Sequence, residues 1–412
     1  MKWASALSGK DYLGGQSYGS VRELIHECAE KISFQLEGQI PDLVIVFVSS
    51  DFQNEFDQIP LHLKNELAAK NIIGCSGGGL IGGGVEVEHE KAVAITACIL
   101  PDVEIKPFHF NDKALPDLDA SPQQWENLVS VKAADSPSFI LLPDPFAFNI
   151  DNLVQGLDYA FPQSVKLGGL ASGASHAGAN ALFYQDKAFH EGVVGVSLSG
   201  NLLVDSLVAQ GCRPIGRTFR ITSCSENYLV ELDGVRAVHA LKGVLDGLSE
   251  RDQALARNSL FLGVVMNEFQ EEFKAGDFLI RNIMGIEQQT GALVIGDVLN
   301  KERTVQFHIR DAQTSADDLR ELLSSYTQRE DSPDNKNVQD CGALLFSCLG
   351  RGKRLYGEPN HDSNLFREFL GEIPLGGFFC NGEIGPVGGT TFLHGYTSSF
   401  GIFREKVTAK ND

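Results

Sequence analysis

Cys341-Gly-Ala-Leu-Leu-Phe-Ser-Cys348-Leu-Gly-Arg351, followed by Pro374-Leu-Gly-Gly-Phe-Phe-Cys380-Asn-Gly-Glu383-Ile-Gly-Pro386, is the stretch on which the reading of this chain turns. A buried strand runs into a Gly/Arg loop, and a second strand runs into a glycine-rich turn bearing one carboxylate. The second half has an echo near the start of the chain. In Ile73-Gly74-Cys-Ser76-Gly-Gly-Gly79-Leu-Ile81-Gly82, residues Gly74, Gly79, Ile81 and Gly82 face Gly377, Gly382, Ile384 and Gly385. Leu167-Gly168-Gly169-Leu-Ala-Ser172-Gly173 is a third, weaker echo.

Each echo sits at the same place in a longer pattern. Asp42-Leu-Val-Ile-Val-Phe-Val48 is a short β-branched apolar run and predicts a buried strand. An amphipathic stretch over Leu61–Ala69, the Gly74 turn and a strand over Ala92–Cys98 follow. The second copy runs through Phe139–Leu142, a helix over Ile150–Phe161, the Gly169 segment and Gly192–Leu198. The third runs through Ala343–Phe346, Leu365–Leu370, the Gly377 segment and Ser398–Phe403. The loose spacing excludes a solenoid. It predicts an α/β (α+β) fold of mixed β-sheets flanked by outer helices, built from repeated β-α-β-β units in two related domains.

From about Ser206 to Thr327 the third copy is interrupted by elements of its own. Strands are expected at Tyr228–Asp233, Leu260–Val265, Phe278–Ile283, Gly291–Ile295 and Thr304–Arg310, with helices over Val235–Leu248 and Ser315–Leu323. Near the N-terminus, Val21, Leu24, Ile25, Cys28 and Ile32 share one helical face. Asn111–Pro137 and Gln328–Asp340 read as surface loops. A seam near Ser206–Gly216 divides the chain into domains at 1–205 and 206–404, with a tail at 405–412.

The 412 residues carry 54 acidic against 34 basic side chains, a formal charge of −20. A field of that sign repels phosphate backbones and anionic lipid, which argues against nucleic-acid and membrane partners. No apolar run reaches the ~18–20 residues that cross a bilayer, and the start of the chain lacks a signal-peptide core. Eight cysteines without short spacings predict free, buried thiols in a reducing cytoplasm.

Several motifs tempt. Gly77-Gly-Gly79-Leu-Ile-Gly82 satisfies GxGxxG, but glycines and then a strand-like alternation follow where a dinucleotide site needs a helix. Gly74-Cys-Ser76-Gly-Gly78 satisfies GxSxG, yet the helix that a nucleophile elbow requires is missing. The ten histidines form no ligand spacing, with His361-Asp362 and His394 of interest by position alone, so no metal and no cofactor are expected. Arg351-Gly-Lys353-Arg354 is either a surface loop or an anion-holding one. Glu383 either hydrogen-bonds neighbouring backbone amides or points at a ligand. Cys380 would need a cation such as Arg351 to become a thiolate.

The chain resembles the FIST family, a two-part sensory module. The resemblance rests on Gly74-Cys-Ser-Gly-Gly-Gly-Leu-Ile and Glu191-Gly-Val-Val-Gly-Val-Ser-Leu-Ser-Gly200 for the N-terminal part, 1–205. For the C-terminal part, 206–404, it rests on Gly276-Asp-Phe-Leu-Ile-Arg281, Phe307-His-Ile-Arg310-Asp311, the Gly342–Arg351 segment and Gly377-Phe-Phe-Cys380-Asn-Gly-Glu383-Ile-Gly-Pro386. It implies a standalone bacterial, cytoplasmic sensor of small ligands that passes a signal to a protein partner. Some eukaryotic relatives carry an F-box; with almost no room before the first unit, none is expected here. Leu80 stands where the N-terminal motif often has Glu, in register with Glu383.

The first expectation is therefore a non-catalytic sensor of an amino acid or another small carboxylate. Arg351 and Arg310 would hold the carboxylate, and Glu383, Asn381 and His394 the polar end. Cys380, Ser76 and Ser172 would lie at the glycine turns that line the pocket. The competing reading makes Arg310-Asp311 a surface ion pair and the Glu383 segment a structural turn. A hydrolase or transferase with Cys380 as nucleophile, His394 as base and Glu383 orienting it is the alternative, and a protein-interaction scaffold is a third.

Overall fold

The computed structural model describes residues 1–9, 20–329 and 340–406. The fold is α+β, and its repetition is threefold. The first copy contains β1 (Lys2–Gly9), α1 (Val21–Gln35), β2 (Leu43–Ser49), α2 (Ile59–Leu67), β3 (Asn71–Gly77), β4 (Gly79–Gly82), β5 (Val85–Glu88) and β6 (Ala92–Ile99). The second contains β7 (Val103–Phe110), α3 (Pro122–Val129), β8 (Ser138–Pro143), α4 (Ile150–Ala160), β9 (Lys166–Gly169), β10 (Leu182–Tyr184), β11 (Lys187–Phe189) and β12 (Val193–Gly200). The third opens with β13 (Leu203–Ala209) and is then interrupted.

The inserted segment forms β14 (Cys212–Ser225), β15 (Tyr228–Leu232), β16 (Val235–Arg236), α5 (Ala237–Asp246), α6 (Glu250–Ala256), β17 (Leu260–Val265), β18 (Phe278–Ile286), β19 (Leu293–Ile295) and β20 (Thr304–Arg310). Helix α7 (Ala312–Thr327) leads out of it. The third copy then resumes with β21 (Gly342–Cys348), α8 (Lys353–Tyr356), α9 (His361–Leu370), β22 (Leu375–Cys380), β23 (Glu383–Val387), β24 (Thr390–His394) and β25 (Ser398–Arg404). The chain divides into two compact units. The larger holds Met1–Val208, Leu322–Leu393 and Thr397–Asp412, and the smaller holds Ala209–Glu321 with His394–Tyr396.

In the larger unit the copies build three six-stranded sheets with one topology, in the orders β1-β6-β2-β3-β10-β11, β7-β12-β8-β9-β23-β24 and β13-β25-β21-β22-β4-β5. In each, the second and third strands of the copy run parallel through a helical crossover, and the last strand returns antiparallel. The outer two strands of every sheet are a hairpin donated by another copy. Hairpin β4–β5 of the first copy completes the third sheet, β23–β24 of the third completes the second, and β10–β11 of the second completes the first. The exchange is cyclic.

Strand β2 explains why the sheets bury both faces. Leu43, Ile45 and Phe47 join a central core shared with Ile140, Leu142 and Phe346. Val44, Val46 and Val48 face outward under α1 and α2, against Leu24, Ile25 and Ile32. A strand covered on both sides reads as a continuous apolar run, as this one does. The expected N-terminal helical face is the buried one, Cys28 included. The Asn111–Pro137 segment is a correction, because it is not only a loop. It contains α3, whose Trp125 is fully buried and packs over Gly156 of α4. Its short amphipathic pattern, Trp125 with Val129, is masked by the polar residues around it. Most of Gln328–Asp340 lies outside the described residues.

The smaller unit is a seven-stranded sheet, β14-β20-β17-β18-β19-β15-β16. One face packs Ile215, Leu262 and Phe307 against Leu241 and Ala256 of α5 and α6. The other carries Cys212, Phe261, Phe278 and Ile280, with Tyr396 packed against them.

Gly74, Gly168 and Gly377 occupy equivalent positions, opposite Val46, Leu141 and Leu345 in the parallel pairs. A Cβ at any of them would lie within 2.0, 1.9 and 1.9 Å of those residues' carbonyl oxygens, and Gly168 and Gly377 also have positive φ. Alanine at any of the three should remove about 3 kcal/mol or more of stability, since neither strand can give way without breaking its ladder. Gly243→Ala in helix α5, where nothing lies within 4 Å, should instead add about 0.5–1 kcal/mol. Thermal and urea unfolding of the four variants checks both.

Candidate functional site

The three glycine turns meet inside the larger unit, and Ser172 joins them. Its Oγ donates to the Phe379 carbonyl at 2.5 Å and accepts from the Gly78 amide at 2.9 Å. Its own amide donates to the Ser76 carbonyl at 3.1 Å. Ser76 Oγ accepts from the Ala181 amide at 3.1 Å and lies 3.4 Å from Asn180 Oδ1. Both serines are buried. Their hydroxyls hold backbone, and GxSxG here opens no helix, because β4 and β5 follow as a hairpin.

Glu383 occupies a position that the threefold repeat otherwise fills with leucine. It pairs with Gly169 on β9 as Leu80 pairs with Phe378 on β22 and Leu182 with Cys75 on β3. All three side chains are fully buried. Thr397 supplies the polar partners, its amide at 3.2 Å and its hydroxyl at 2.9 Å from Glu383 Oε2. Asn381, two residues earlier, is exposed and its amide donates to the Leu170 carbonyl.

Cys380 is fully buried, with Sγ 3.4 Å from the Phe378 carbonyl. Burial first, and the nearby Glu383 second, push its thiol well above the ordinary range. The charge considered for activating it is committed elsewhere. Arg351 is fully buried and grips Asp362, Nε to Oδ2 at 2.9 Å and Nη2 to Oδ1 at 3.2 Å. The cation that a Cys380 thiolate would need is therefore engaged by Asp362, and burial favours the protonated thiol.

Asp362 is the centre of a polar cluster that the sequence pattern did not assemble. Ser398 Oγ lies 2.5 Å from its Oδ2, Ser347 Oγ 3.5 Å, and His361 Nδ1 3.0 Å from Oδ1. Although burial opposes ionisation, Arg351 and these donors hold the carboxyl well below its usual range. The cluster exists because Ser347 and Ser398, cross-strand partners in the third sheet, replace an apolar pair. The equivalent partners are Val48 with Val93 and Pro143 with Val193.

Donated hairpin β4–β5 reaches the same cluster. Glu86 Oε1 accepts from the amide and hydroxyl of Ser363, both at 2.8 Å, in the first turn of α9. A carboxyl oxygen there satisfies an otherwise orphaned helix donor. Its other oxygen, Oε2, is buried with no hydrogen-bond partner among the described residues. Burial, and then the charge of Asp362, push Glu86 up to about 8. A cleft of about 260 Å³ runs beside α9, lined by Ser5, Gln35, Ser363, Arg367, Glu372 and Pro374. None of the side chains singled out from the sequence lines it.

Six of the eight expected site residues lie in the larger unit; Arg310 and His394 lie in the smaller. His394 is buried at the end of β24. Arg310 does not pair with Asp311. That carboxylate is held by Arg213 at 3.3 Å and Arg251 at 3.2 Å. Arg310 instead stands over the Tyr396 ring, 5.1 Å from its centroid. Its Nε and Nη2 are buried with no acceptor among the described residues. Tyr396 is itself held at φ +66, a conformation a bulky side chain rarely adopts. Two residues before Arg310 on β20, and hence on the same face, His308 has Nε2 buried without a partner. Its Nδ1 lies 3.0 Å from the Gln306 carbonyl, which places the proton on Nδ1 and leaves Nε2 an acceptor. Nothing in the spacing of the sequence distinguishes His308 from a core histidine. Among the described residues no group of three or more metal-ligating side chains assembles.

The chain belongs to the FIST family: its FIST N domain spans residues 42–235 and its FIST C domain residues 237–386. FIST domains are sensory domains of signal transduction. An uncharacterized protein of Mycobacterium tuberculosis is 33% identical over 394 residues, covering 95% of this chain and 98% of that protein. One of Mycobacterium bovis is 31% identical over 385 residues, covering 93% and 95%. Among solved structures, a cyanuric acid hydrolase from A. caulinodans aligns over 98% of this chain and 100% of its own, at 7% identity and a TM-score of 0.35.

Removing Asp362 as alanine leaves a buried guanidinium uncompensated and should cost about 3–5 kcal/mol, most of it restored in a doubly apolar Arg351→Met, Asp362→Leu chain. Glu86 gives a pH signature. Its folded pKa is raised from 4.5 to about 8, so the unfolded chain ionises first, and stability is lost as pH rises through that window. Glu86→Gln keeps an acceptor for Ser363 and should match wild type near pH 4.5, then outlast it increasingly up to about pH 8, in urea midpoints measured across the range.

Proposed function

We propose that this chain is a ligand-binding sensory protein of the cytoplasm that takes a small carboxylate, of which an amino acid is the first candidate, and that Arg310 in the smaller unit is its anchor. The observation that carries this reading is the guanidinium of Arg310, with Nε and Nη2 buried and facing no acceptor among the described residues. A buried charge without a partner costs several kcal/mol, and a carboxylate matches a guanidinium edge in bidentate fashion. The Tyr396 face beside it supplies a further contact for the cation. The acceptor nitrogen of His308, on the same sheet face, suits a ligand that carries an N–H or O–H donor as well as an anionic end.

Sensing without catalysis fits the rest of the chain. The thiol considered as a nucleophile is protonated and enclosed. The serine hydroxyls at the glycine turns are engaged with backbone and Asn180. Arg351, Ser76, Ser172, Glu383 and Cys380 read as the frame of the larger unit, and a signalling protein would be the downstream partner. All eight cysteines are free, which fits a reducing compartment, and among the described residues no helix is long and apolar enough to cross a membrane.

A thermal-shift screen of the intact chain against amino acids, hydroxy acids, simple carboxylates and amines tests the proposal. A ligand at ~100 times its dissociation constant adds about 2.7 kcal/mol of apparent stability. Carboxylates should shift wild type and Glu383→Gln alike, and Arg310→Ala not at all. A shift retained in Arg310→Ala, or one produced by amines but not by acids, would overturn it.

A further inference from the structure

A pair of thiols in the larger unit stands outside the ligand reading. Cys348 ends β21 and Cys380 ends β22, and the two are register partners in that parallel pair. Neighbouring strands lie about 4.8 Å apart, inside the roughly 4.4–6.8 Å Cα separation that a disulfide spans. Both side chains leave the same face. Alternate residues Leu344 and Phe346 on β21 and Phe378 on β22 enter the central core together with Cys380, and Cys348 continues that alternation. The thiols are close enough to act on each other electrostatically, Cys348 adding to the upward shift of Cys380. Their exposures differ: Cys348 is half-buried, whereas Cys380 is closed off.

We propose that Cys348 and Cys380 form an oxidant-modifiable pair, in which a small hydroperoxide oxidises Cys348 and Cys380 resolves it to an intramolecular disulfide. Cys348, as thiolate, attacks the terminal oxygen of the peroxide. The S–O bond forms, the O–O bond breaks, and the leaving oxygen departs as water or an alcohol after taking up a proton. The Cys380 sulfur then attacks the sulfenic sulfur. The S–S bond forms, the S–O bond breaks, and the hydroxyl leaves as water with the Cys380 proton. Two electrons pass from the two thiols to the peroxide. The raised pKa of Cys380 suits the second role better than the first, because an enclosed protonated thiol does not compete for the oxidant. Cys75, also buried and also acting on Cys380, is the rival to Cys348 as the partner of that thiol. It lies on β3 of the first copy, and β22 hydrogen-bonds to β21 and β4.

The disulfide would tie together the two strand ends from which the Arg351 loop and the Glu383 turn depart. The intact reduced protein treated with hydrogen peroxide, blocked with an alkylating reagent and digested with trypsin tests the pair. Arg351, Lys353, Arg354 and Arg367 lie between the two cysteines, so each falls on its own peptide. The expected product is a Cys348–Cys380 cross-linked peptide, lighter by two hydrogens and split by dithiothreitol. In Cys380→Ser the expected product is Cys348 oxidised to the sulfinic acid, and in Cys348→Ser Cys380 should stay reduced. Wild-type protein that yields sulfinic Cys348 with reduced Cys380, or a Cys75–Cys380 cross-link, would overturn the proposal, and neither outcome depends on a variant folding.

Discussion

The larger unit depends on three places where a glycine's missing Cβ leaves room for the carbonyl oxygen of the neighbouring strand. Val46, Leu141 and Leu345 each present a backbone oxygen where a Cβ on Gly74, Gly168 or Gly377 would have to go. Only a residue without a side chain lets the parallel strands close at that point. The same closeness brings each donated hairpin against the strand that carries the glycine, so that Leu80, Leu182 and Glu383 reach the interior. With the glycines in place, Ser172 can touch turns from all three copies at once. The repeat is thus held by backbone geometry more than by any one side chain.

Against that threefold background the third copy is the polar one. Its Glu383 replaces leucine, its Ser347 and Ser398 replace apolar cross-strand partners, and Arg351 and Asp362 form a buried pair at the first turn of α9. A buried ion pair is weak evidence for stability but strong evidence that its partners cannot be removed singly. The pair absorbs the charge of Arg351. The guanidinium of Arg310 in the smaller unit meets no such partner among the described residues, and that contrast is what separates a structural arginine from a candidate anchor.

The repeat was legible because its carriers are glycines and continuous apolar runs, which report strands buried on both faces. Gly74 against Gly377 fell in register from the letters alone, and the interruption of the third copy showed as a change of pattern. The hairpin exchange was not legible, since β4 and β10 are equally good partners for any sheet edge until the whole ring exists. The short helix α3 was hidden by its polar majority, with Trp125 as its main buried contact. The side-chain cluster was hidden for another reason. Asp362 and Glu86 belong to different copies, and no spacing rule links a hairpin to a helix start 277 residues away. Arg310 was visible as a cation near a family motif, but its separation from Asp311 is a property of Arg213 and Arg251.

The cyclic exchange of hairpins also orders events in time. Ile81 is paired with Glu86 across its own hairpin, but the other edge of its strand must wait for Gly377. At roughly 5–20 residues per second, a ribosome needs about 15–60 s to deliver the missing edge. Throughout that interval the nascent chain carries a hairpin with one open strand edge, the kind of surface that recruits holdase chaperones or finds another copy of itself. Every pairing between copies is distant along the chain, so closure of the ring belongs to the slow end of the folding spectrum. The architecture that makes the finished core so enclosed makes its biogenesis exposed.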